Sequence, residues 1–340
     1  MRLTFRFFAA IAVPCAFALS AVASAQVGAL SPAARPVQPT AGALVIVGGG
    51  GSTPAIWDRF MELAGGDSAV IVYFPTASAG DIDTTDNSAL RVWRERHPKS
   101  AVIMHTRSRD VANTDAFVAP LRRATGVWFG GGVQSRITDA YLGTKTEEAL
   151  RDVLRRGGVI GGTSAGAAIM SEVMITGGNP EATLGIGFGF FPGAVADQHF
   201  TQRSRQPRLV GVLRKHPGLV GFGIDEATAL IVHGSRNLEV IGRGRVNVMT
   251  ALPGAVVDST LWREAPAVAA AAARDSATRA AGRRASPPKV FQGDLIELAR
   301  KAQERARAAK PPGERTFLRR EPQSPLAGYL PAGTVATASR

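Results

Sequence analysis

Cysteine is almost missing from this sequence. The only one among 340 residues, Cys15, lies in an apolar leader with proline before it and more apolar sequence after it. One cysteine cannot form a disulfide within the chain, and removal of the leader would leave no thiol nucleophile. Stability must then come from packing alone. Metal-ligand spacing is missing too. The five histidines, His97, His105, His199, His216 and His233, are scattered, with no H-E-x-x-H pattern among them, so no metal and no other cofactor is expected. Gly48-Gly-Gly-Gly51 follows an apolar run, but Thr53 stands where the dinucleotide fingerprint requires glycine and no lysine follows in phosphate-loop register. That turn is expected only to let the chain pass over a sheet edge.

A membrane-spanning run is missing as well. Phe7–Val22 is short for a span and Pro14 interrupts it. Arg2 and Arg6 precede it and Ala23-Ser-Ala25 follows at once, which is the pattern of a secretory signal peptide. The expectation is a signal peptide over 1–25, cleavage before Gln26, export to periplasm or medium, and no stable membrane anchor afterwards. The net charge of +13 is the one excess. Residues 259–340 hold 15 Lys/Arg against 7 Asp/Glu, a net of +8, and the leader adds +2, which leaves +3 for residues 26–258. A body so nearly balanced argues against a nucleic-acid partner. A basic tail on an otherwise non-catalytic envelope-binding protein is the reading from a different class.

Residues 26–42, rich in proline, alanine and serine, read as a flexible lead-in to a hydrolase domain over 43–258. Continuous apolar runs at Ala43–Val47, Ala69–Phe74, Ala101–Met104, Gly126–Phe129 and Gly158–Ile160 alternate with helical stretches at Ile56–Ala64, Ser88–Arg96 and Lys145–Arg156. Strands apolar on both faces belong to a mostly parallel sheet covered on both sides, an α/β fold built as a three-layer sandwich. Leu219–Ile224, Ala229–His233 and Leu238–Ile241 are expected to continue that sheet. Beyond residue 258 the composition shifts to Ala, Arg and Pro. This tail is read as partly helical or disordered, with candidate helices at Ala265–Ala281 and Gly293–Ala309.

The strongest chemical signal is Gly162-Thr-Ser164-Ala-Gly166 between the run ending at Ile160 and the small residues Ala167-Ala168-Ile169. A G-x-S-x-G turn from strand to helix holds its serine in strained geometry, thrusts the hydroxyl out at the top of a sheet, and leaves the next N–H, here that of Ala165, free to meet an oxyanion. Glycines 130–132 end another apolar run, and such a turn can aim backbone N–H groups into the crevice at the carboxyl end of a parallel sheet. A serine nucleophile needs a base. Position alone favours His199, in the polar cluster Asp197-Gln-His-Phe200, without closing the choice. Ile224-Asp225-Glu226 offers two carboxylates to orient it.

Four ordered motifs, Gly131-Gly-Val-Gln134, Gly162–Ala167, Asp197–Phe200 and Gly223–Glu226, together resemble those of the S51 peptidases, and within them the cyanophycinase branch, over about residues 43–250. The resemblance implies a glutamine amidotransferase-like fold with Ser164 as nucleophile, His199 as base and Glu226 as its orienting carboxylate. It further implies an oxyanion hole from Gly131, Gly132 and Ala165, with Gln134 and Gln198 in the substrate crevice. Val133 departs from the acidic or polar residue that the family often carries there. The substrate so implied is cyanophycin, an aspartate polymer with arginine amide-linked to each side chain, and Arg203, Arg205 and Arg208 would offer planar forks to its free carboxylates. Short aspartyl or isoaspartyl peptides are the alternative substrate. A homodimer is an option that the sequence leaves open.

Overall fold

The computed structural model describes residues 41–216, 219–234 and 237–250, together with the backbone of four short strands at Asp258–Arg263, Phe291–Asp294, Leu318–Arg319 and Thr334–Val335. The expected leader and lead-in up to residue 40, the first tail helix and nearly all of the second lie outside the described residues.

Five strands form the parallel half of the main sheet: β1 (Ala43–Val47), β2 (Val70–Phe74), β3 (Ser100–Ile103), β4 (Gly126–Phe129) and β5 (Val159–Thr163). They lie in the order β3-β2-β4-β5-β1. β1 and β4 are buried along their whole length, whereas β3, on the sheet edge, alternates between exposed and half-buried residues. Successive side chains on a strand point to opposite faces. Leu44 and Ile46 of β1 therefore enter one apolar cluster, while Val45 and Val47 enter another.

Helices cover both clusters. α1 (Pro54–Leu63) packs Ile56, Phe60 and Met61 on the second. It starts where it does because Thr53 accepts the Ile56 N–H through its hydroxyl at 3.4 Å and proline takes the first helical position. The stretch expected as one helix over Ser88–Arg96 is a 3-10 turn, Asn87–Leu90, running into the single α-helical turn α2 (Arg91–Arg94). Two more single turns follow, α3 (Arg109–Ala112) and α4 (Asp115–Val118), each capped by a side-chain oxygen, of Ser108 and Thr114. α5 (Gln134–Tyr141), α6 (Lys145–Arg155) and α7 (Ala165–Ala168) cover the first cluster with Ile137 and Tyr141, Leu150 and Leu154, and Ala165 to Ala168.

Beyond α7 come a hairpin, β6 (Val173–Gly177) with β7 (Thr183–Ile186), then β8 (Ala194–Gln198), α8 (Gln206–Lys215), β9 (Val220–Ile224), β10 (Thr228–His233), β11 (Asn237–Gly242), β12 (Arg245–Thr250), β13 (Asp258–Arg263) and β14 (Phe291–Asp294). β10, β11 and β14 extend the main sheet antiparallel from β1. The expectation that 219–224 would extend it too is corrected. β9 runs parallel to β8 and antiparallel to β12, in a separate four-stranded sheet ordered β13-β12-β9-β8. Apolar β-branched runs specify burial on both faces but not which strand lies alongside.

Candidate active site

The parallel strands of the main sheet end on one edge, and β5 ends there on Ser164. This residue has φ 53° and ψ −107°, a conformation costing on the order of 1–3 kcal/mol for a residue with a Cβ. The flanking glycines make the turn fit. A Cβ at Gly162 would stand 2.4 Å from the Gly166 carbonyl oxygen, and one at Gly166 would stand 2.3 Å from that of Phe129.

His199 follows the last residue of β8, also at a left-handed φ of 50°. Its Nε2 lies 2.9 Å from Ser164 Oγ and its Nδ1 lies 2.6 Å from Glu226 Oε1. A carboxylate can only accept, so Nδ1 carries the proton and Nε2 offers its lone pair to the serine O–H. Burial, helped by the charges of Arg203 and Arg205, holds the His199 pKa below the ordinary histidine value, against the opposing pull of Glu226. The ring is therefore neutral near pH 7 and able to take a proton.

The two carboxylates at 225 and 226 divide their work. Glu226 reaches the histidine, and its own N–H donates to Gln202 Oε1 at 3.1 Å. Asp225 is buried and accepts from the Thr201 N–H at 3.1 Å, the Thr201 hydroxyl at 2.7 Å and the Arg245 N–H at 3.2 Å. It ties the segment after His199 to the start of β12. Position alone does not separate these two neighbours; the resemblance of the four motifs points to Glu226, and the reversal after β9 is what turns it to the imidazole. Gln202 and the scaffold role of Asp225 carry no sequence signal of their own.

The turn at Gly131 runs beside the nucleophile, since a Cβ there would lie 3.5 Å from Ser164 Cβ. Gly132, at φ 139°, lies against the Ala77 carbonyl, which accepts the Val133 N–H at 2.9 Å. Ala165 opens α7 directly after the serine. Val133 is exposed next to this turn.

Three of the expected substrate contacts need correction. Gln134 is buried and spends both amide hydrogens on the carbonyls of Ile175 and Thr176, at 2.8 and 2.9 Å, so it braces β6. Arg208 is 3% exposed; its fork grips both carboxylate oxygens of Asp197 and its third nitrogen donates to the Gly178 carbonyl at 2.9 Å. Arg205 turns onto the Gln198 carbonyl and lies 3.6 Å from Asp197, and burial beside Arg208 pulls its pKa down to about 10. Their spacing suggests forks for a ligand, but the fully buried Asp197 carboxylate requires a partner first. Arg203 remains exposed; among the described contacts only its backbone is engaged, its N–H donating to the His199 carbonyl at 3.1 Å and its carbonyl accepting from Asn179. Gln198 is buried, and its Oε1 finds no hydrogen-bond partner among the described residues.

The other histidines lie elsewhere. His105 Nδ1 contacts Thr76 Oγ1 at 3.0 Å, and His233 Nε2 meets Glu239 at 2.8 Å, a carboxylate that Arg59 of α1 also grips bidentately. Among the described residues no group of His, Cys, Asp and Glu is arranged to hold a metal ion, and no helix is long and apolar enough to cross a membrane.

A serine on a strand-to-helix elbow, hydrogen-bonded to a neutral histidine that a carboxylate holds in one tautomer, is the working unit of serine hydrolases. Residues 44–240 match peptidase family S51, a span from β1 into β11 that includes every residue of this site. The chain belongs to this family and is a serine-type peptidase. Over 202 residues it is 33% identical to a cyanophycinase of Geminocystis herdmanii, covering 57% of this chain and 74% of that protein. A cyanophycinase of Thermosynechococcus vestitus is 35% identical over 202 residues, of which the match spans 57% of this chain and 62% of the relative. One from Nostoc is 31% identical over 226 residues, 63% of this chain and 76% of the relative. Among solved structures, a peptidase from an acI-B1 actinobacterium superposes with a TM-score of 0.52 at 21% identity, covering 66% of this chain and 95% of that one. That last likeness bears on the fold.

Proposed function

We propose that this chain is an exported peptidase that hydrolyses cyanophycin to β-Asp-Arg dipeptides through an acyl-enzyme on Ser164. The observation that carries the chemistry is the position of His199, within hydrogen-bond reach of both Ser164 and Glu226. The substrate is supported by the three relatives named as cyanophycinases. His199 Nε2 takes the proton as Ser164 Oγ attacks the amide carbonyl. Glu226 steadies the imidazolium so formed. The Ala165 N–H and the N–H groups of the Gly131–Gly132 turn face the developing oxyanion, where a single donor contributes about 3–4 kcal/mol. His199 then protonates the leaving amine. Water, activated by the same base, releases the acyl group and restores Ser164.

Arg203 is the one arginine of the three left to meet a substrate carboxylate. Its planar fork suits one, and its charge already acts on His199. Arg203→Gln is expected to raise KM about tenfold, the loss of roughly 1.4 kcal/mol in a charge-assisted contact, with kcat little changed. The same change removes a charge that depresses the His199 pKa, so the acid limb of kcat/KM should move to higher pH. In the parent enzyme that limb should lie below the ordinary histidine value of about 6.5, because the base must be neutral to act. A limb above that value would contradict a buried, neutral base.

Incubation of the purified protein with cyanophycin, with products identified by mass spectrometry, tests the substrate. Release of β-Asp-Arg dipeptide supports it. Faster cleavage of short α-aspartyl or isoaspartyl peptides, with the polymer untouched, would instead establish the alternative, for which the exposed apolar Val133 beside the nucleophile turn is the structural motive. Export rests on the basic, apolar and small-residue leader alone. Sequencing of protein recovered outside the cytoplasm should begin at Gln26, and recovery of uncleaved chain solely from cytosol would refute export.

A further inference from the structure

β1 leaves the main sheet into Gly48-Gly-Gly, and three successive carbonyls there accept from three distant parts of the chain. The Val47 carbonyl takes the Ser164 N–H at 3.0 Å, the Gly48 carbonyl takes the His199 N–H at 2.7 Å, and the Gly49 carbonyl takes the Ala227 N–H, next to Glu226, at 2.8 Å. All three donors are non-glycine residues with left-handed φ, 53°, 50° and 53°. Only two other non-glycine residues among those described, His97 and Ser204, share that conformation. Strain of this kind persists only where the surroundings over-determine the backbone, and here one short segment grips each strained residue. The side chains above it fit only because the segment has none. A Cβ on Gly49 would stand 2.2 Å from His199 Cε1 and 2.5 Å from Nε2, and a Cβ on Gly50 would stand 2.5 Å from both Cβ and Oε2 of Glu226.

We propose that Val47–Gly50 is the template that sets the alignment of Ser164, His199 and Glu226, and that Gly49 and Gly50 are positioning residues for the reaction. The physical need is plain. Ser164 comes from the main sheet, His199 follows β8 of the second sheet, and Glu226 lies in the reversal from β9 of the second sheet to β10 of the main one, so no single sheet fixes their spacing. A displacement of about 1 Å in such a constellation costs about 100-fold in rate. β1 lies in the main sheet, and its last residue with the glycines that follow it touches all three groups, so the carbonyls of Val47–Gly49 transfer the register of one sheet to the other. This inference rests on Ser164 being the nucleophile but not on which peptide is cleaved.

A fluorophosphonate probe tests it without any substrate. Ser164 Oγ attacks phosphorus, His199 takes the hydroxyl proton, fluoride leaves, and a stable serine–phosphonate bond remains. The parent enzyme should be labelled at Ser164, and Gly49→Ala should react at least about 100-fold more slowly while keeping a cooperative thermal transition. Gly51→Ala is the control. Gly51 has the same left-handed backbone, φ 87°, but nothing lies within 4 Å of the added Cβ, so it should lose some stability and label at the parent rate. In a His199→Ala background, adding Gly49→Ala should slow the residual reaction no further, which a merely structural defect would not reproduce. Gly50→Ala supplies a second readout should Gly49→Ala fail to fold. Displacing Glu226 removes its upward pull on His199, so the acid limb of labelling should move to lower pH.

Labelling of Gly49→Ala at the parent rate would overturn the template, as would Gly51→Ala as slow as Gly49→Ala or a Gly50→Ala profile unmoved in pH. A parent enzyme that is never labelled at Ser164 would instead sink the serine-nucleophile reading itself.

Discussion

Ser164→Ala is expected to lower kcat on the order of a millionfold while leaving substrate binding and the melting temperature close to those of the parent. The size follows from the way nucleophile, base and carboxylate act as a unit, so that loss of the nucleophile forfeits nearly all that the three provide together. His199→Ala should cost about as much, and Ser164→Ala with His199→Ala little more than either alone. The melting temperature should hold or rise slightly, because alanine needs no hydrogen bond from His199 and the carbonyl of Val47 still accepts the residue-164 N–H. Turnover and single-turnover assays with either aspartyl substrate read the first effect, and calorimetry reads the second. A variant retaining more than about a thousandth of parent kcat would show that the hydroxyl is not the attacking group.

The second large effect is on stability, and it comes from a residue that the sequence pattern places in the substrate crevice. Arg208→Ala leaves the Asp197 carboxylate, fully buried on β8, without its two-pronged partner. Breaking a buried pair from one side costs about 3–5 kcal/mol, since the remaining charge has neither water nor counter-ion. Arg205 at 3.6 Å offsets a part of it. For a domain of this size that corresponds to a drop of roughly 6–20 °C in melting temperature. The deficit should be greater at pH 8 than at pH 5. Burial pushes the Asp197 carboxyl up and the Arg208 fork opposes that push. Without the fork the folded-state pKa lies further above the unfolded one, and stability is lost as pH rises through the gap between them. Asp197→Asn combined with Arg208→Met should recover part of the loss, because the charge and its partner then leave together. A melting temperature unchanged in Arg208→Ala would mean that the guanidinium is free for ligand after all.

Much of this molecule is legible in its sequence, and the reasons are local. The runs at 43–47, 69–74 and 126–129 alternate too little to be half-exposed strands, so they belong inside a covered parallel sheet. Gly162-Thr-Ser-Ala-Gly166 announces its own backbone, because so sharp a turn admits only small neighbours. Those inferences depend on residues a few positions apart. Position favours His199 among the five histidines without closing the choice, which the resemblance of four ordered motifs closes. The arginines mislead for a related reason. Arg203, Arg205 and Arg208 look alike in the sequence, yet Asp197, eleven residues before Arg208 and on a different element, claims one entirely, draws in the second, and leaves the third exposed.

By itself the sequence determined the α/β layering, the elbow that carries Ser164 and the chemical class of the nucleophile, since each follows from side-chain size, backbone freedom and hydrophobic pattern over short stretches. Only the tertiary structure decided that residues 220–224 belong to a second sheet, that Asp225 is spent on Thr201 and Arg245, that Gln134 and Arg208 serve the scaffold, and that the glycines after β1 lie beneath the His199–Glu226 pair. Each of these turns on which groups from distant segments compete for the same hydrogen bond or the same few ångströms of space, and that competition exists only once the two sheets have come together.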